Sequence, residues 1–144
     1  FFLKEVDGGI LEELMTPERQ SQMRNSASAA AYKEGLVVAK DNVKRLSDSG
    51  VRLAMGTDTG PPARFQGYFS HMEMQMMVDA GMSPLDVIRS STGIAADCIN
   101  VGDVGTLEPG KWGDLVLLSE NPAENIANTK SIEGVWVAGN RVPD

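Results

Sequence analysis

The chain has 144 residues, 42% of them hydrophobic and 23% charged; those values suit one ordinary domain with a core of useful size. A formal net charge of −7 and a pI near 4.7 argue against nucleic acid or an anionic membrane surface as a general partner, since neither attracts an acidic chain. No stretch approaches the roughly 20 apolar residues that a membrane-crossing helix needs, and a single cysteine, Cys98, excludes an intrachain disulfide.

The chain opens on Phe1-Phe2-Leu3 rather than Met, and Lys4, Glu5 and Asp7 follow at once, so this is no signal peptide. A processed chain or an incomplete reading frame is expected, and the compartment stays undetermined. Thr16-Pro17-Glu18 predicts a helix start: Thr16 can cap, Pro17 suits the first helical position, and Glu18 suits the positive end of the dipole. Tyr32, Leu36, Ala39, Val43 and Leu46 then recur as one apolar stripe of a helix, with Lys33, Lys40, Asp41 and Lys44 off it. That helix should stop at Ser47-Asp48-Ser49-Gly50, where Gly50 can turn left-handed.

Residues 51–55 are mostly apolar and too few for a helix, which predicts a buried parallel strand reached through a tight glycine turn. It runs into Gly56-Thr57-Asp58-Thr59-Gly60 and a loop over residues 61–69. Ser70-His71-Met72-Glu73 predicts a capping box that opens a helix ending at Ala80-Gly81; Ser83-Pro84-Leu85-Asp86 opens the next in the same way. Thr92-Gly93 should break or restart it, with a short turn or two over residues 94–99. Met72, Met74, Met76, Met77 and Met82 suit core packing, because thioethers fill irregular gaps; a soft apolar pocket wall is the alternative. Cys98, in an apolar setting beside Asp97, reads as a buried core thiol rather than a reactive one.

After Asn100 the character changes. Gly102, Gly105, Pro109-Gly110 and Gly113 punctuate short segments, Leu115-Val116-Leu117-Leu118 and Val135-Trp136-Val137 are strand-like, and Gly139-Asn140 suggests a tight hairpin turn. Residues 1–99 thus read as α/β and residues 100–144 as a small β-rich appendix.

Asp58 is the first candidate for chemistry. It closes a predicted parallel strand, the end at which barrels and open α/β sheets build their sites, and Gly56 and Gly60 let ligands come near; the plainer alternative is an Asp that hydrogen-bonds loop amides. His71 is the only histidine. It is either a metal ligand or substrate contact at a helix start, or an ordinary first-turn residue. Arg64, in the loop after Asp58, either pairs with a substrate carboxylate or is simply solvated. One His and one Cys cannot supply a conventional zinc site.

Gly56-Thr57-Asp58 after an apolar strand, then His71-Met72-Glu73, Ala80-Gly81-Met82-Ser83-Pro84 and Thr92, resembles the amidohydrolase superfamily, and within it the imidazolonepropionase-like and Xaa-Pro dipeptidase-like branch. The run from Gly105-Thr106-Leu107-Glu108-Pro109-Gly110 through Gly113-Asp114-Leu115-Val116 is similar to that family's C-terminal signature, although Ala usually stands where Gly113 is. The resemblance implies a distorted (β/α)8 TIM-like barrel with a small β-sandwich built from both chain ends. It would place residues 1–99 in the C-terminal part of the barrel and residues 100–144 in the last strands of the sandwich. It also implies one or two divalent metals, commonly zinc, with the aspartate that closes the final strand ligating metal and taking a proton from the attacking water. By position that residue is Asp58, with His71 and Arg64 as candidate substrate contacts.

The chain lacks the His-x-His pair and the further histidines of the family, and has too few strands for a barrel. The resemblance therefore implies one end of a longer enzyme that hydrolyses an amide, cyclic amide or dipeptide C–N bond, inactive as an isolated piece. Its partners would be a small-molecule or dipeptide substrate, without nucleic acid or membrane, and an uncovered sheet edge would open it to homo-oligomer formation. The alternative from another class is a non-catalytic remnant acting as a self-associating or binding module. A deaminase or lactonase of the same superfamily is a third reading.

Overall fold

The computed structural model describes residues 7–60 and 65–143. Among them, helices come first and a small sheet last. Helix α1 (Gly8–Leu14) has no forerunner in the sequence reading; the Asp7 carboxylate starts it by accepting from the Gly9 and Ile10 amides. Helix α2 (Pro17–Arg24) begins as predicted, with the Thr16 hydroxyl accepting from the Arg19 amide and Pro17 in the first turn. Helix α3 (Ala27–Asp48) is capped by Ser26. It stops where Gly50 takes a φ of 76°, the left-handed conformation that a side chain would resist.

The α3 stripe has the predicted period but little cover. Val43 packs against the core, whereas Leu36 and Leu46 are exposed and Tyr32 is 77% exposed. Among the described residues only the Val43 end of that face meets the core, so periodicity forecast the helix and overestimated its burial.

Helix α4 (Tyr68–Asp79) starts three residues earlier than expected. Gly67, at φ 75°, occupies the cap position without a side-chain bond, which leaves Ser70 inside the first turn, so the capping box predicted from Ser70 and Glu73 does not form. Gly81, at φ 105°, ends the helix as anticipated. In helix α5 (Pro84–Ser91) the Ser83 hydroxyl does accept from the Asp86 amide. Helix α6 (Gly93–Cys98) restarts after Thr92, whose ψ of −95° breaks the run. Cys98 is exposed, contrary to the expected core thiol; it lies at the end of α6, whose buried position is Ala96.

Of the five methionines between residues 72 and 82, three are buried. Met74, Met77 and Met82 pack with Val87 and Ile126, while Met72 is exposed. Val87 is fully buried. Ile126 comes from the appendix: a 3-10 turn over Ile126–Lys130 inserts it into the helical core, so the two parts share one apolar centre.

The sheet has the order β1 (Leu115–Leu118), β2 (Ile132–Val137) and β3 (Asn140–Arg141), all antiparallel, with an irregularity between Leu117 and Leu118. Its hairpin turns at Ala138-Gly139, one residue before the predicted Gly139-Asn140. Both carry positive φ, 51° and 77°, as the twist-matched two-residue turn demands. The Asp114 carboxylate accepts from the Ala138 amide at 2.6 Å and helps hold that turn.

The predicted buried strand is the largest correction. Residues 51–60 join no hydrogen-bonded strand, and Val51, Arg52 and Ala54 are exposed. The burial nevertheless alternates: Leu53, Met55, Thr57 and Thr59 are half-buried, and Ala54, Gly56 and Asp58 are exposed. A period of two is the mark of a strand with one covered face. Leu53 and Met55 pack on the core; parallel neighbours that would complete a ladder are not among the described residues.

Two substitutions test this packing. Ile126→Ala should cost about 2–5 kcal/mol in urea unfolding; a change within about 0.5 kcal/mol, the level of an ordinary surface substitution, would show that the turn does not anchor the appendix. A Cβ at Gly113 would stand 3.0 Å from Gly139 Cα, where Gly139 also donates its amide to the Gly113 carbonyl at 3.0 Å. Gly113→Ala, the residue usual in the resembling family, should therefore destabilise this hairpin by about 1–3 kcal/mol. An unchanged unfolding midpoint would show that the turn yields freely.

Candidate functional site

Asp58 lies at the C-terminal end of the alternating segment, on its exposed face, opposite the residues that pack on the helices. In a barrel that face looks into the strand cylinder and that end into its mouth. The backbone turns sharply here: Asp58 has a φ of 47°, a left-handed conformation that Asp tolerates better than most residues. The hydroxyl of Thr57 donates to that of Thr59 at 3.3 Å, bridging the turn. Gly60, at φ 140°, continues it.

His71 is in the second turn-forming stretch of α4 and faces the appendix. Its Nδ1 is 2.9 Å from the Thr129 hydroxyl, and that hydroxyl donates to the Ile126 carbonyl at 2.8 Å. A carbonyl can only accept, so the single hydroxyl proton of Thr129 goes either to it or to the lone pair of the ring nitrogen. With that proton on the carbonyl, the His71 contact runs from Nδ1–H to Thr129, and Nε2 is the lone-pair nitrogen of the neutral ring. Desolvation, and secondarily the charge of Lys130, lower the imidazole pKa below its ordinary value. Neighbouring Glu73 is moved the other way, its carboxyl raised by burial.

Asp58 ends the alternating segment, His71 ties α4 to the 3-10 turn, and Arg64 lies outside the described residues. Thr129 escaped the sequence reading: it stands 58 positions from His71, and no local pattern announces a partner at that distance. Among the described residues no group of three or more His, Cys, Asp or Glu side chains could hold a metal ion. One carboxylate is an incomplete ligand set, so the described residues alone do not fit the metal that the resemblance implies.

The family profile described as "Amidohydrolase family" matches residues 13–142. An imidazolonepropionase of Streptomyces griseus is 31% identical over 104 residues, which cover 70% of this chain and 27% of that protein. Among solved structures, one titled for molinate hydrolase matches with a TM-score of 0.66 at 28% identity, over 71% of this chain and 26% of the other. A Xaa-Pro dipeptidase with bound methionine matches with a TM-score of 0.65 at 28% identity, over 73% and 25%. These likenesses give the chain a TIM-barrel-type α/β fold, of which it forms a part. The chain belongs to the amidohydrolase family. It spans about a quarter of the length of the curated relatives it matches.

The lowered pKa of His71 has a definite sign. The unfolded imidazole binds a proton more readily than the folded one, so the contribution of His71 to stability is present above the ordinary value of 6.5 and lost as pH falls through the folded value. Between about pH 7.5 and pH 5.5 the urea midpoint should fall, and His71→Gln should flatten that fall. Parallel pH curves for the two proteins would show that His71 is not its source.

Proposed function

We propose that the chain is the C-terminal portion of a metal-dependent amidohydrolase that cleaves an amide, cyclic amide or dipeptide C–N bond with metal-activated water. In this reading residues 1–99 belong to the closing part of a (β/α)8 barrel, and residues 100–144 to a β-sandwich completed by other strands. Asp58 is the residue this chain brings to the reaction, as a metal ligand and as acceptor of the water proton. The observation that carries this is its position: an aspartate at the C-terminal end of a strand-like segment, on the face turned away from the helical layer. Family membership supports the reaction class, as do relatives named for a hydrolase and a dipeptidase.

A carboxylate suits the proton-accepting role because it can take a proton in one step and return it to the leaving nitrogen in the next. The substrate is a small molecule or dipeptide. His71, through Nε2, and Arg64 are its candidate contacts from this chain. The remaining metal ligands, zinc being the metal the resemblance favours, come from outside the described residues. The isolated chain therefore neither holds metal in the family manner nor turns over substrate.

Two measurements test this. In a chain extended upstream through the remaining barrel, Asp58→Asn should lower turnover by about 10²- to 10⁴-fold with an unchanged circular dichroism spectrum; undiminished turnover would remove Asp58 from the reaction. The 144-residue chain, dialysed against zinc, should retain far less than one equivalent by elemental analysis. A tightly held stoichiometric ion would sink the claim that its ligand set is incomplete.

A further inference from the structure

Ser90 is fully buried, yet it is a polar residue on α5. Its hydroxyl donates to the Leu53 carbonyl, and its own carbonyl accepts from the Met55 amide at 3.0 Å. Those two bonds bracket Ala54. In a parallel sheet, a residue of the neighbouring strand brackets its partner in the same way, giving its amide to the carbonyl before it and its carbonyl to the amide after it. The amide of Ser90 lies within α5, and the hydroxyl takes its place. The next residue reinforces the contact, with Ser91 Oγ 3.1 Å from Met55 Sδ and donating to the Val87 carbonyl at 2.7 Å.

We propose that Ser90, on the reading that Asp58 serves the reaction, is its positioning residue, standing in for one residue of a parallel strand. Main-chain groups of successive strand residues point to opposite edges. Ser90 therefore occupies the edge shared by Leu53 and Met55, while the edge of Arg52, Ala54 and Gly56 meets no strand among the described residues. Asp58 follows Met55 by three residues, across the sharp turn at φ 47°. The register of Leu53 and Met55 against α5 sets where that turn falls, and so where the carboxylate is presented. Removing the hydroxyl takes from the Leu53 carbonyl the bond that pairs with the Met55 amide contact.

The test uses the 144-residue chain and nuclear magnetic resonance. Ser90→Ala should speed amide exchange at Met55 by about five- to tenfold and shift the Asp58 amide and carboxyl resonances. The Met77 and Val87 amides should keep their exchange rates. Ser90→Thr, which retains the hydroxyl, should restore both signals. Unchanged Met55 exchange in Ser90→Ala would overturn the surrogate strand contact. Faster exchange at Met55 with Asp58 unmoved would make Ser90 a local brace only, and overturn its positioning role. If Ser90→Ala unfolds the whole chain, the same readings are taken on Ser90→Cys, whose thiol is a weak donor of similar shape. None of these readings needs turnover, so failure of the Asp58→Asn experiment would remove the catalytic role and leave them standing.

Discussion

A strand in a parallel sheet is ordinarily held by hydrogen bonds along both edges, and here residues 51–59 keep a strand's alternation with no strand beside them among the described residues. What holds them is the helical layer. Leu53 and Met55 set their side chains against the methionine core, and the end of α5 meets their main chain through Ser90. Apolar packing supplies the face and one serine supplies part of an edge. What is said of Asp58 depends on this support, because the segment carries its backbone to the turn.

The same core explains why the appendix does not hang free of the helices. Ile126 enters the cluster of Met74, Met77, Met82 and Val87, and a few residues on, Thr129 meets His71. One contact is apolar and indifferent to pH; the other is polar and passes through a ring whose protonation is disfavoured by burial and by Lys130. Together they fix both the depth and the orientation of the 3-10 turn against α4. Unbranched, polarizable methionines suit such a junction, since they can fill a gap between elements of different geometry.

What was legible in the sequence divides along a physical line. Local rules worked where the chain acts locally: Thr16, Ser83 and Gly50 mark helix ends by chemistry that needs only their neighbours. They failed where a competing local option existed. Ser70 looks like a cap, but the helix already starts at Tyr68 after Gly67 at φ 75°, and the hairpin turns at Ala138-Gly139 rather than one residue later. Burial was the poorest forecast. Cys98 and the α3 stripe are apolar in pattern and exposed in fact, because a stripe records that a face seeks cover, not that the described residues supply it. At the candidate site, Asp58 could be named from its place after a strand-like run. Ser90 and Thr129 could not, since each acts on a residue dozens of positions away.

The bonding of His71 narrows what that side chain can do. In the tautomer that puts the Thr129 proton on the Ile126 carbonyl, Nδ1 is a donor and is already engaged. Only Nε2 remains, and in the neutral ring favoured by its lowered pKa it accepts and cannot donate. A group meeting it must therefore bring a proton or a positive charge: an N–H, a hydroxyl or a cation, but not a carboxylate. The appendix sets that rule by holding the other nitrogen, so a residue in the C-terminal part of the chain determines which chemistry a residue at the start of α4 can offer.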